Sequence, residues 1–127
     1  MEYRLYPEKY DVSYIDGKDN LATQHNHPPD ALSPPSPEAF IEALQKEWAD
    51  YSFCISNSEI WVIKHQGEYS RTKQTYIENN IGPIAKKAEE MLKTQPREYV
   101  NNWYEKEIDK HLNSLEERDI YVTKVVL

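Results

Sequence analysis

SFCISNSEIWVIKH, residues 52–65, is the most apolar stretch of an otherwise polar chain. It reads as two β-strands joined by a tight turn. Phe53 and Ile55 alternate with Cys54 and Ser56, the period-2 pattern of a strand with one face inside. Ile60, Trp61, Val62 and Ile63 then form an unbroken β-branched and aromatic run, the pattern of a central strand covered on both faces. Asn57-Ser58 fits a two-residue hairpin connection between them.

Helical signals flank this hairpin on both sides. Upstream, Ser36 is a good N-cap, Pro37 suits the first helical position, and Glu38 complements the positive end of the helix. Phe40, Ile41, Leu44 and Trp48 recur at helical spacing and predict a buried stripe. Glu38, Glu42, Glu47 and Asp50 against the single Lys46 make the outer side of this helix acidic, the most one-sided charge feature of the chain.

Downstream, a helical region starts near Ser70. Ile77, Ile81, Ile84, Ala88 and Met91 recur at steps of four, three, four and three. The pattern runs through Gly82-Pro83, which predicts a kink or a junction of two short helices, because proline removes a backbone donor. Gln95-Pro96 ends this region, and a further helix is expected over about 97–117. Its buried stripe would be Val100, Trp103, Tyr104, Ile108, Leu112 and Leu115, with His111 at its boundary. The last segment, DIYVTKVVL at 119–127, is a strong β pattern and needs a place in a sheet.

Before the first helix the signals weaken. Residues 2–6 and 10–15 are short candidate strands separated by Pro7, and Asp16-Gly17 marks a turn. Residues 20–36 read as a proline-rich loop holding Pro28, Pro29, Pro34 and Pro35. Such a loop could present an extended docking segment.

Taken together, these elements predict one α+β domain over residues 1–127, an antiparallel sheet with helices on one face. The order fits a ferredoxin-like β-α-β-β-α-β arrangement with an extra leading strand and an enlarged second helical region.

Composition narrows the function classes. The formal charge of −7 argues against sequence-independent nucleic-acid binding, which needs Lys and Arg to displace phosphate counterions. The only basic stretch, residues 68–96, has five basic and four acidic side chains, a net of +1, too little for a phosphate-binding face. Cys54 is the sole cysteine, so no internal disulfide is available, and it reads as a small core hydrophobe. The first residues have no signal-peptide character and no window approaches a membrane span, so a cytoplasmic protein with no membrane partner is expected. Gly17, Gly67 and Gly82 are the only glycines, and each sits at a turn or helix break, leaving none for a phosphate cradle.

Ten tyrosines and three tryptophans against two phenylalanines favour half-buried positions and contact surfaces. With no catalytic motif, no cofactor and no catalytic residue indicated, the leading expectation is a non-enzymatic interaction protein. It would cover a nucleic-acid-binding or other surface of a larger basic protein, as an anti-CRISPR-like or other anti-defence inhibitor from a phage or mobile element would. The residues expected to carry contacts are Glu38, Glu42, Glu47, Asp50, Trp61 and Tyr121. Two alternatives have their own residues. A metal-assisted hydrolase would use His25, His27 and Asp30, with His65 as a further ligand. A small-ligand sensor would place Trp61 and Trp103 beside a pocket.

Overall fold

A computed structural model describes residues 11–14, 22–26, 32–46, 51–56 and 59–126; for the first two segments it describes the backbone alone. Strands β1 (Asp11–Tyr14), β2 (Ala22–Asn26), β3 (Tyr51–Ile55), β4 (Glu59–His65) and β5 (Ile120–Val126) form a five-stranded sheet in the order β1-β2-β3-β4-β5. Helix α1 (Pro37–Gln45) lies between β2 and β3. Helices α2 (Arg71–Tyr76), α3 (Gly82–Met91), α4 (Arg97–Asp109) and α5 (Leu112–Glu116) lie between β4 and β5. The α+β class and the antiparallel sheet hold for β3, β4 and β5, which are paired antiparallel.

The hairpin sits where the sequence placed it. Ile55 pairs with Ile60, and the Ser56 N–H donates to the Glu59 carbonyl at 3.0 Å. Asn57 and Ser58 lie outside the described residues, as do the candidate strand at 2–6 and the Asp16-Gly17 turn. β4 is a central strand flanked by β3 and β5, as its apolar run implied, but it is not buried on both faces, since Ile60 and Val62 are half-buried.

Two features of the sheet depart from expectation. First, the segment 20–36 is not a loop throughout, because Ala22–Asn26 forms β2 and pairs in parallel with β3. This strand, ATQHN, has no apolar alternation, so only its neighbours reveal it. The end of the segment is also held down. Pro34 and Pro35 are fully buried, Tyr104 Oη donates to the Pro35 carbonyl at 2.7 Å, and the Ser33 N–H donates to Asn101 Oδ1 at 2.7 Å. Second, β5 pairs with β4. In a ferredoxin-like sheet the last strand lies beside the strand that precedes the first helix, so the observed order is a different one.

Capping explains α1 locally. Ser36 Oγ accepts from the Ala39 N–H at 3.2 Å, with Pro37 in the first turn, and Phe40 and Leu44 are fully buried. The region around Gly82-Pro83 resolves as one continuous helical run over 71–91. It contains a π-helical turn at Ile77–Ile81, where the Gly82 N–H reaches five residues back to the Ile77 carbonyl. A wide turn just before a proline is a common way to accommodate the missing donor. It also shifts the buried stripe. Ile77 and Ile81 enter the cluster under the sheet, whereas Ile84 and Ala88 enter a second cluster. The expected helix at 97–117 is broken at Lys110 and His111 into α4 and α5.

The main cluster joins α1 (Ala39, Phe40, Ala43, Leu44) to Cys54, Trp61, Ile63 and Ile120 of the sheet and to Ile77, Ile81 and Leu115. The second joins Ala88 of α3 to Val100, Tyr104 and Ile108 of α4. Of the expected α4–α5 stripe, Val100, Tyr104, Ile108 and Leu115 are buried, and Trp103 and Leu112 are half-buried.

Candidate functional site

Successive side chains on a strand point to opposite faces, so register across three strands sorts the hairpin and β5 into two sets. One set is Ser52, Ile63 and Val122, with Cys54, Trp61 and Lys124 beside them. Cys54, Trp61, Ile63 and Val122 all pack into the main cluster, so this face meets the helices. The other set is Tyr51, Lys64 and Tyr121, then Phe53, Val62 and Thr123, then Ile55, Ile60 and Val125.

None of that second set belongs to either cluster. Among the described residues no helix covers it. Tyr51 is 39% exposed, Tyr121 36% and Val125 46%, while Phe53, Ile55, Ile60 and Val62 are half-buried. Tyr51 and Phe53 stack with ring centroids 6.4 Å apart and planes 27° from parallel. Lys64 Nζ lies 5.5 Å from the Tyr51 ring centre, a cation–π distance that lets the charge sit at the rim while its stem covers apolar surface. The result is a continuous aromatic and β-branched surface with one cation.

Tyr121 lies on the open face. Trp61 does not: it is 3% exposed on the helix face, and its indole N–H donates to Glu59 Oε1 at 3.0 Å. Trp61 is therefore a core residue and not the contact residue expected from the sequence. Lys124 Nζ stands 5.8 Å from the Trp61 ring and pairs with Glu105 of α4. That hydrogen bond to Glu105 raises the Lys124 pKa above its ordinary value, reinforced by the charges of Glu105, Glu59 and Asp109 and opposed by desolvation. Of the acidic set, Glu38 is exposed and Glu42 is half-buried; Glu47 and Asp50 lie outside the described residues. Glu42 is close enough to act on Cys54, whose thiol is pushed up to about 12 by burial first and by the Glu42 charge second. A protonated, fully buried thiol is a poor nucleophile.

The residues of the two alternative sites are only partly described. His27 and Asp30 lie outside the described residues, and His25 is in β2, in register with Cys54. His65 Nε2 is 3.0 Å from Lys73 Nζ, so its lone pair faces an ammonium. Among the described residues no group of three or more His, Cys, Asp or Glu side chains could hold a metal ion. Trp61 and Trp103 fall in separate clusters, and Lys87 Nζ caps the Trp103 ring at 5.3 Å.

One constellation had no sequence signal. Tyr76 Oη is 2.9 Å from His111 Nδ1, and the Arg118 guanidinium lies 3.9 Å over the Tyr76 ring. Arg118 also donates to the Ser114 carbonyl at 2.9 Å. These residues are far apart in sequence and tie α2 to the α4–α5 break. Their spacing follows no periodic pattern, so only the tertiary arrangement shows them together.

No protein-family model, curated protein or solved structure matches the chain. No helix among the described residues is long and apolar enough to cross a membrane.

Proposed function

We propose that this is a non-enzymatic protein–protein interaction module that covers a surface of a larger, basic protein in the cytoplasm, without binding nucleic acid itself. The observation that carries this reading is the open sheet face of Tyr51, Ile60, Val62, Tyr121 and Val125 beside Phe53. Contiguous exposed apolar surface marks interaction sites more often than chance, and tyrosine is among the residues that dominate binding energy. The −7 charge supports a basic partner by steering encounter.

An inhibitor of the anti-CRISPR or other anti-defence kind, carried by a phage or mobile element, is the specific form this reading takes if the acidic side chains imitate phosphates. Glu38, Glu42, Glu47 and Asp50 would then serve alongside the sheet face. The test is capture of a stoichiometric partner from source-cell lysate after nuclease treatment, repeated with two variants. Tyr51→Ala with Tyr121→Ala is expected to weaken capture at least about tenfold, since tyrosine anchors at interfaces are worth roughly 1–2 kcal/mol or more each. Full capture by that variant would refute the sheet-face reading. Glu38→Gln with Glu42→Gln is expected to weaken it only at low salt if phosphate mimicry operates; no change at any salt would eliminate the mimic.

A further inference from the structure

Among the described strands β5 is an edge of the sheet. The Ser56 N–H to Glu59 carbonyl bond sets the hydrogen-bonding phase of β3 against β4. The Gln66 N–H to Asp119 carbonyl bond, at 3.0 Å, sets the same phase for β4 against β5. In an antiparallel ladder alternate residues bond inward. Tyr121, Thr123 and Val125 therefore bond to β4, and Ile120, Val122, Lys124 and Val126 direct their N–H and carbonyl groups to the free edge. Among the described residues nothing pairs with that edge.

Natural edges are blunted by proline, bulges, shortness or inward-pointing charge. β5 is seven residues long, in unbroken register with β4, with no proline and no glycine. Its one charge, Lys124, is already held by Glu105. Val126 is 70% exposed.

We infer that the β5 edge pairs antiparallel with the β5 edge of a second copy of this chain, around a two-fold axis at Thr123. This register is singled out by the strand itself. Thr123 is its midpoint, so all seven residues pair. Ile120 then meets Val126 of the second copy, and Val122 meets Lys124 of the second copy; these are the outward-bonding positions, each pair able to exchange two hydrogen bonds. On the open face, Tyr121 meets Val125 of the second copy, an aromatic and β-branched pair of the favourable cross-strand kind. An axis at Lys124 would instead set two ammonium groups directly opposite and leave residues unpaired. The pairing makes one continuous sheet from two five-stranded ones and doubles the open apolar face. It does not depend on the function proposed above, because it uses the strand edge and not the face.

Edge pairing alone buries less than the ~1,200–2,000 Å² of a standard interface, so a dimer of micromolar rather than nanomolar strength is expected. Sedimentation of the full chain from about 1 to 200 µM should show the mass rising from 15.0 kDa toward twice that value. Lys124→Pro removes an outward donor and no bond to β4, so it should weaken dimerisation at least about tenfold with an unchanged circular dichroism spectrum. Lys124→Ala, which loses the Glu105 contact alone, should still dimerise. Thr123→Cys should form an intermolecular disulfide on mild oxidation, since facing residues of a non-hydrogen-bonded pair sit about 4.5 Å apart at Cα. Val125→Cys, facing Tyr121 of the second copy, should not. A monomer throughout the concentration range, a dimer indifferent to Lys124→Pro, or a Thr123→Cys chain that stays reduced would each overturn the inference.

Discussion

The two faces of the β3–β4–β5 sheet are made from the same strands, and both are apolar. On β4, Trp61 and Ile63 are buried while Ile60 and Val62, their immediate neighbours, are half-buried. On β3 the contrast runs against hydrophobicity. Small Ser52 and Cys54 are the buried pair, and larger Phe53 and Ile55 lie on the open side. A buried face is thus chosen by fit beneath α1 and the π-helical turn, where small residues let the helices approach. Among the described residues no helix covers the other apolar face.

Core truncation should show this contrast most strongly. Ile63→Ala removes a fully buried side chain and should cost about 2–5 kcal/mol in urea unfolding. Ile60→Ala, three residues away on the open face, should cost about 1 kcal/mol or less. Equal losses would mean that both faces are core. A smaller effect concerns Cys54 alone. Its thiol ionises near 9 in the unfolded chain and is pushed up to about 12 in the fold. The folded state therefore keeps a proton that the unfolded state gives up, and stability falls as pH rises from about 9 toward 12. Wild type should lose more stability over that window than Cys54→Ala, and parallel curves would show that the thiol is not sealed beneath the helices. Least affected should be Glu105→Gln, which loosens Lys124 near the surface; thermal unfolding should register a change below about 1 kcal/mol.

Much of the architecture is legible locally. The Ser36-Pro37-Glu38 start of α1, the hairpin flanking Asn57-Ser58, and the helical repeat from Ile77 to Met91 each rest on side chains within a few turns of one another. The candidate site is half legible. Tyr121 is readable as a surface aromatic because it alternates with Ile120 and Val122 on a terminal strand. Trp61 is not, since an unbroken run such as Ile60–Ile63 carries no period to say which face is inside. The polar strand β2 has the same difficulty in a stronger form, as nothing in ATQHN announces pairing.

Sequence alone determined the β3–β4 hairpin, the start of α1, the final strand, the acidic total and the lack of glycine for a phosphate cradle, because these follow from propensity, spacing and charge along the chain. Tertiary structure decided the parallel pairing of β2 with β3, the burial of Trp61, the Tyr76–His111–Arg118 cluster and the place of β5 beside β4. Those depend on which distant backbone groups find each other and on which of two apolar faces the helices cover, and neither is encoded in any short window of residues.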